Sequence, residues 1–460
     1  MPTQIDRRDF LRVLGAGTVG LLARNVYAGE GDPAGRRPNV ITIVADDLGY
    51  ADVGFQGCKD IPTPNIDALA ASGVRFTNGY VSAPLCSPTR AGIMTGRYQQ
   101  RFGHEFNPGP TPGEDIGLPL TEVTFADAMR SAGYATGLVG KWHLGAAPKF
   151  HPMKRGFQEF YGFLGGAHPY LNLSKDSPQP ILRGADPVDE QEYLTDAFAR
   201  EPVAFIERHR NEPFFLYLTF NAVHGPLQAT EKYLGRFKNI TDKKRHTYAA
   251  MLSAMDDGIG AVLKKLKEAG IEQDTLITFF SDNGGPTPTT TANNAPLRGT
   301  KATMYEGGIR VPFIIRWPRR LQAGKVCEHP VISLDALPTA VAAAGGAPPK
   351  ERPLDGVNLL PYLTGEKNTP PHDVLFWRMG PNEAVRMGNW KLVKQGQGAV
   401  GLYDLAADIS ESKDLAAQNP AKAQELRKAL DEWEAGLAQP LWRQAGGQKK
   451  PRKRGARKEK

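Results

Sequence analysis

The sequence predicts an α/β fold built on a mostly parallel central sheet flanked by helices, followed by a small C-terminal α+β subdomain. Three observations carry this. Continuous apolar, β-branched runs such as Val40-Ile41-Thr42-Ile43-Val44-Ala45 read as strands buried on both faces. Helical stretches separate these runs, the alternation expected of a parallel sheet. Each run also delivers polar residues just past its C-terminal end, where open α/β sheets gather their ligands.

Taken in order, residues 1–28 read as an export segment rather than as part of the fold. Arg7-Arg8-Asp9-Phe10-Leu11-Arg12 precedes an apolar run from Val13 to Ala23, and Val26-Tyr27-Ala28 offers small residues for cleavage. The run is too short to span a bilayer, so no transmembrane segment is expected. A basic amphipathic helix is the plainer alternative, weakened by glycines at 15, 17 and 20. The Val40–Ala45 strand then ends in Asp46-Asp47. Pro64 to Ser72 reads as a helix closed by Gly73, and Val74 to Tyr80 as a short strand leading to Cys86-Ser87-Pro88-Thr89-Arg90. There Ser87 is the expected N-cap and Pro88 the first helical residue, which sets Cys86 where free N–H groups favour an anion.

Thr121 is expected to cap a helix to about Ala132, and Ala135 to Gly140 to form the strand that delivers Lys141-Trp142-His143. After a Gly- and Pro-rich middle with few periodic signals, Asp196 to His209 reads as a helix, kinked or restarted at Pro202. Pro213 to Thr219 is a buried strand followed by Asn221-Ala222-Val223-His224. A helix from about Lys244 to Ala269 leads to the strand Leu276–Phe280 and then Ser281-Asp282-Asn283. Val311 to Trp317 supplies another strand and Ser333 to Ala344 another helix.

A composition shift at Pro348-Pro349 and Arg352-Pro353 separates an expected catalytic domain, 36–368, from a C-terminal subdomain, 369–440. The latter carries three short antiparallel strands, at 374–377, 383–386 and 390–393, and a helix from about Pro420 to Ala435. Residues 448–460 form a basic tail expected to be disordered.

The chain has 460 residues and a formal charge of +8, but eight Lys or Arg against one Glu lie in that tail. Residues 1–28 hold four Arg against two Asp, which leaves the rest of the chain close to neutral. A nucleic-acid partner is therefore not expected. Three cysteines, at 58, 86 and 327, are too few for a disulfide framework; Cys58 and Cys327 could pair in an oxidising compartment, and free buried thiols are the plainer reading.

Asp46, Asp47, Asp282 and Asn283 offer hard oxygen ligands, which suit Ca²⁺ or Mg²⁺ better than zinc. His143 and His224 are not spaced as a zinc pair. A lone Cys beside a helix start is usually a small core residue, but a Cys-x5-Arg phosphatase loop is absent here and the neighbouring pattern is specific.

Cys86-x-Pro88-x-Arg90, followed by Thr95-Gly96, resembles the signature of the type I sulfatases. Gly140-Lys141-Trp142-His143-Leu144-Gly145, Pro296-Leu297-Arg298-Gly299-Thr300-Lys301 and Tyr305-Glu306-Gly307-Gly308-Ile309-Arg310-Val311-Pro312 are similar to further stretches of that family. Thr89 stands where many members have Ser. The overall run is similar to the arylsulfatase A and N-acetylgalactosamine-6-sulfatase branch.

The resemblance implies an alkaline-phosphatase-like fold and hydrolysis of a sulfate monoester, on a sulfated carbohydrate or an aryl sulfate. It implies conversion of Cys86 to formylglycine by a formylglycine-generating or maturase enzyme. It also implies one divalent cation, usually calcium, held by Asp46, Asp47, Asp282, Asn283 and the modified Cys86. In the implied reaction one hydroxyl of the hydrated aldehyde attacks sulfur, and deprotonation of the other expels sulfate. Arg90 and Lys141 would steady the diol, His143 would be the base for elimination, and His224 and Lys301 would meet the sulfate and protonate the leaving group. His104 is read as a structural histidine.

The N-terminal pattern resembles a twin-arginine signal, which implies the Tat translocon as a partner and a periplasmic or secreted location. Two alternatives are a phosphomonoester or phosphonate hydrolase on the same site, and a non-catalytic glycan-binding relative with unmodified Cys86. The stretches Phe150–Leu173 and Pro286–Ala295 are expected to shape substrate choice.

Overall fold

A computed structural model describes residues 37–108, 115–349 and 351–443. The expected export signal and the basic tail lie outside them. The described residues from Pro38 to Arg443 form one compact unit. Among the described residues no helix is long and apolar enough to cross a membrane.

The first part runs β1 (Asn39–Ala45), α1 (Pro64–Ala71), β2 (Val74–Phe76), β3 (Gly79–Tyr80), α2 (Cys86–Thr95), α3 (Phe125–Ser131), β4 (Ala135–Lys141), β5 (Glu159–Phe163), β6 (Ile181–Arg183) and β7 (Asp186–Val188). It continues with α4 (Leu194–His209), β8 (Phe214–Thr219), α5 (Lys243–Glu268), β9 (Thr275–Ser281), a one-turn helix α6 (Glu306–Ile309), β10 (Phe313–Arg316), β11 (Lys325–Cys327), β12 (Val331–Ile332) and α7 (Ala336–Ala343). The C-terminal part holds β13 (Val374–Met379), β14 (Asn382–Met387), β15 (Trp390–Lys394), β16 (Val400–Asp404) and α8 (Pro420–Glu434).

The ten-stranded sheet has the order β11-β2-β10-β9-β1-β8-β4-β5-β6-β7. Its centre, β9-β1-β8-β4-β5, is parallel, while β10 runs antiparallel to both β9 and β2, and β6 and β7 return antiparallel beyond β5. Alternate side chains of a strand face opposite sides of a sheet. Val40 and Val44 accordingly enter a core with α2, α3 and α7, while Ile41 and Ile43 enter a second core with α1, α4 and α5. Burial on both faces is why these strands read as unbroken apolar runs.

Several elements differ from the sequence reading. Val74–Tyr80 is two strands, because the chain turns at Thr77-Asn78 to pair β3 with β12. The cap of α3 is Thr124, not Thr121: its hydroxyl accepts from Asp127 N–H while the Asp127 carboxylate accepts from Thr124 N–H, a reciprocal capping box. Helix α4 runs unbroken through Pro202. The Gly- and Pro-rich middle supplies β5, β6 and β7, and the C-terminal sheet has a fourth strand, β16. All three cysteines are free thiols.

Candidate active site

The site is assembled by register. In the sheet order β9-β1-β8-β4, Ala45 pairs with Ser281, Val44 with Thr219, and Gly140 with Thr219, so these four strands end at one level. The residues that follow, Asp46 and Asp47 after β1, Asp282 and Asn283 after β9, and His224 after β8, are thereby brought together, with Lys141 and His143 at the end of β4. Gly140 permits this close packing, since a Cβ there would lie 1.8 Å from the Thr219 carbonyl oxygen.

Helix α2 descends onto this edge with every residue buried. It starts two residues earlier than its sequence suggests: Cys86 is itself helical, Leu85 occupies the N-cap position without a side-chain cap, and Pro88 lies inside the first turn. Pro88 costs nothing there, because the first four N–H groups of a helix have no internal partner. The Ser87 hydroxyl, freed from capping, donates to the His143 carbonyl at 2.6 Å and meets His104 Nε2 at 2.7 Å. The Ser87 N–H is capped instead by Asn107 Oδ1 at 3.0 Å.

Cys86 Sγ lies 3.5 Å from Asp46 Oδ1 and 3.1 Å from Lys301 Nζ. Lys301 also donates to Asp47 Oδ1 at 2.6 Å, and Lys141 to Asp46 Oδ2 at 2.6 Å. Arg90 Nε donates to Asp282 Oδ2 at 3.0 Å and Arg90 NH1 to the Lys141 carbonyl at 3.0 Å. Asn283 Nδ2 donates to Asp47 Oδ1 at 2.7 Å, which leaves Asn283 Oδ1 buried without a donor among the described residues. The site therefore draws together all the sequence-predicted residues: Asp46, Asp47, Cys86, Arg90, Lys141, His143, His224, Asp282, Asn283 and Lys301.

Burial and charge set the protonation states. Burial raises the Asp46 carboxyl, but Lys141, His224 and Arg90 outweigh it and hold the group below the usual carboxylate range. Asp47 is likewise held down against its burial by Lys301 and His224. Asp282 is raised by burial and by neighbouring Asp46. Burial, with Asp282 beside it, pushes the Cys86 thiol up to about 12, so the unmodified side chain is held as a thiol.

Burial and the surrounding cations Lys141, Arg90 and Lys301 push His143 well below its ordinary value, so its ring is neutral. The Gly225 carbonyl lies 2.7 Å from His224 Nδ1, so that nitrogen carries the hydrogen and Nε2 faces Asp47 Oδ2 at 3.6 Å. His104 is buried and pushed down to about 3 by burial; it supports Ser87 rather than entering the site.

Ligand atoms of Asp46, Asp47, Cys86 and His224 all lie within 4.8 Å of one another. Three buried carboxylates and the orphaned Asn283 oxygen form a hard-oxygen donor set that fits a Ca²⁺- or Mg²⁺-like cation. Above Cys86 opens a cavity of about 460 Å³, walled by the segments 143–146, 164–167 and 178–182 and by Asn107. Two contributors were not singled out by the sequence, although Gly166 falls within the Phe150–Leu173 stretch expected to shape substrate choice. Asn107 carried no motif, and Gly166, whose added Cβ would stand 2.5 Å from His143 Nε2, was signalled only by the Gly165-Gly166 pair.

The sulfatase family model matches residues 38–347, and the model described as N-sulphoglucosamine sulphohydrolase, C-terminal, matches residues 300–436. Human N-acetylgalactosamine-6-sulfatase is 36% identical over 379 residues, covering 77% of this chain and 71% of the relative. Human arylsulfatase A is 35% identical over 433 residues, covering 85% of this chain and 82% of the relative. The crystal structure of Ps i-CgsB in complex with k-i-k-neocarrahexaose superposes with a TM-score of 0.84 at 41% identity, covering 89% of this chain and 95% of that one.

Proposed function

The chain belongs to the type I sulfatase family, whose members are sulfuric ester hydrolases, and from that premise we propose that it is an exported enzyme that removes sulfate from a carbohydrate. Formylglycine derived from Cys86 would be its nucleophile and one calcium ion its metal. The observation that carries this reading is the position of Cys86 at the start of α2, between Asp46 and Lys301 and on the floor of the cavity. The carbohydrate substrate is supported by the relative named for N-acetylgalactosamine 6-sulfate and by the neighbour bound to a neocarrahexaose.

Asp46, Asp47, Asp282 and Asn283 would hold the cation, which would supply Lewis-acid stabilisation of charge on sulfate oxygen. Hydrated formylglycine would supply one hydroxyl to attack sulfur and a second whose deprotonation releases sulfate without water attacking sulfur. The chain's own residues then have distinct tasks. Arg90 and Lys141 fix Asp282 and Asp46 and keep positive charge beside position 86. His143 would act as the base for elimination, and His224, with its Nδ1–H held by the Gly225 carbonyl, would in its doubly protonated form give the Nε2 proton to the leaving oxygen. Lys301 reaches both Asp47 and position 86 and can donate to a sulfate oxygen.

The charge balance agrees with an anionic substrate. Asp46, Asp47 and Asp282 are matched by Arg90, Lys141 and Lys301, so a bound divalent cation would leave a net positive floor for a sulfate ester.

The test combines two measurements on the native exported protein. Mass analysis of the Cys86 peptide is expected to show a loss of about 18 Da, the difference between thiol and aldehyde. The same preparation is expected to hydrolyse aryl sulfate far faster than aryl phosphate. An unmodified peptide from active protein would remove the mechanism, and faster phosphate turnover would remove the substrate class. For the Tat reading of residues 1–28, replacing Arg7-Arg8 with Lys-Lys is expected to retain the protein, already converted, in the cytoplasm; undiminished export would exclude it.

A further inference from the structure

The cavity above Cys86 has a chemistry of its own. Among the described residues that line it, the ionisable ones are Cys86, His143 and His224, all at its reacting end. The remainder of the wall is apolar or glycine, including Pro108, Ile116, Leu164 and Leu182, and carries two carboxamides, Asn107 and Gln179. The volume, about 460 Å³, falls in the range of small-molecule seats, roughly 300–1,000 Å³. A group that enters beside the sulfate meets apolar surface and amide hydrogen-bonding groups, and beyond the reacting end no described lining residue is a cation that could answer a second negative charge.

Asn107 is held in a defined orientation. Its Oδ1 is committed to the Ser87 N–H, and its backbone carbonyl accepts from Trp442 Nε1 at 3.1 Å. The Trp442 ring meets His104 edge-on at 4.6 Å, so the chain beyond α8 reaches back to brace the start of the Cys86 helix. With Oδ1 committed, the Asn107 NH₂ is the part of the amide left to donate, and it makes no hydrogen bond to the described residues.

We propose that this cavity seats one uncharged sugar ring, with the Asn107 NH₂ donating to a ring hydroxyl, and that it rejects a ring carrying a second anion. The proposal rests on the sulfatase reading and names the substrate class within it. Sugar hydroxyls match the two carboxamides, and the apolar face of the ring matches the proline and leucine wall. A carboxylate or second sulfate would lose its hydration without gaining a partner. Asn107 is thus a specificity-determining contact, and Trp442 is a positioning residue that acts through it.

The test uses full-length protein whose Cys86 conversion has been verified by mass. The first comparison is kcat/KM for a monosulfated neutral hexose against the same sulfate ester on a ring that also bears a carboxylate. At least about 10²-fold preference for the neutral ring is expected. The second compares Asn107→Ala with the wild type on that neutral sugar sulfate and on 4-nitrophenyl sulfate, which has no ring hydroxyl. Damage to the Cys86 helix lowers both rates equally, whereas loss of a sugar contact lowers the sugar rate by about tenfold more.

Equal or faster turnover of the carboxylated ring overturns the neutral seat, and an unchanged ratio between the two substrates in Asn107→Ala overturns the contact. Both leave the sulfatase reading standing. Converted protein that turns over neither 4-nitrophenyl sulfate nor any sugar sulfate overturns the underlying reading itself.

Discussion

Lys391→Met is the substitution whose consequences the structure specifies most fully. Lys391, on β15, is entirely buried, with Nζ 2.8 Å from Glu306 Oε1 and 2.9 Å from Glu411 Oε1, and both carboxylates are also fully buried. Glu306 begins α6, its N–H donates to Glu411 Oε2 at 2.7 Å, and its other oxygen accepts from Tyr80 and Arg310. Burial raises Glu306, but Lys391, Arg310 and Arg386 outweigh it and bring it down to about 2. Removing one partner from a buried ion pair costs about 3–5 kcal/mol, because the remaining charge is left dry and unpaired.

At roughly 1–2 °C per kcal/mol for a unit this large, the melting temperature should fall by about 3–10 °C. The pH dependence identifies the cause. In the wild type the depressed Glu306 contributes stability that is present above the unfolded carboxyl value and lost as pH falls toward about 2. Without Lys391 the folded-state carboxyls rise above their unfolded values. The variant's deficit is then full at pH 8 and shrinks as pH falls toward 5. Thermal unfolding of wild type and Lys391→Met at pH 8 and pH 5.5 measures this, and adding Glu411→Gln to the variant should recover part of the loss. A melting temperature within about 1 °C of wild type, or a deficit equal at both pH values, would refute the reasoning.

Three further outcomes are expected. Gly166→Ala places a methyl group 2.5 Å from His143 Nε2, so kcat should fall by about 10–10²-fold through displacement of the ring while the melting temperature stays near wild type; unchanged kcat would show that His143 is not held by this contact. Calcium added to chelator-treated protein should raise its stability by about 2.7 kcal/mol at one hundred times the dissociation constant, read as a calorimetric shift that Asp282→Asn abolishes; an equal shift in the variant would exclude Asp282 as a ligand. His372 Nε2 lies 2.8 Å from Asp335 Oδ1, and although burial lowers the imidazole, Asp335 more than offsets it and raises it above its usual value. Its pairing therefore stabilises fully below the unfolded value of about 6.5 and is lost as pH rises through the folded one, so His372→Gln should cost about 1.5–3 kcal/mol at pH 5.5 and progressively less at higher pH by urea unfolding. A cost that grows with pH would exclude the charged pair.

The legible parts of this fold are those in which one residue run meets one environment. Strands β1, β8 and β9 lie between two cores, so their sequences are apolar on both faces and announce themselves. Strand β5 does not, because Gly162 breaks its run: the strand passes so close to β4 that a Cβ there would lie 1.9 Å from the Gly140 carbonyl oxygen. Strand β16 mixes exposed Val400 with buried Leu402 and Tyr403 and reads as a loop. The acids and cations were legible because parallel topology turns separate strand ends into one edge. Asn107, Gly166 and Trp442 were not, since each acts through partners distant in sequence that no local pattern encodes.

Lys301 ties the C-terminal sheet to the candidate site. Asp46, Lys141 and Asp282 stand at the ends of strands whose neighbours fix them on both sides. Lys301 stands in a loop, and its placement beside Asp47 and Cys86 has to be imposed from elsewhere. That loop is held by backbone bonds from Gly307 to the Arg298 carbonyl and from Ala302 to the Pro84 carbonyl. The Gly285 carbonyl accepts from Thr300 Oγ1 at 2.8 Å, and the C-terminal part adds three more ties: Gln395 accepts from Met304 N–H at 2.9 Å, Arg298 donates to the Glu411 carbonyl at 2.7 Å, and Lys391 clamps Glu306. Each partner in these three comes from β15, from the turn that follows it, or from the segment after β16. The C-terminal sheet thereby helps to hold a cation that stands off the central sheet, which is why the loss of Lys391 should reach activity as well as stability.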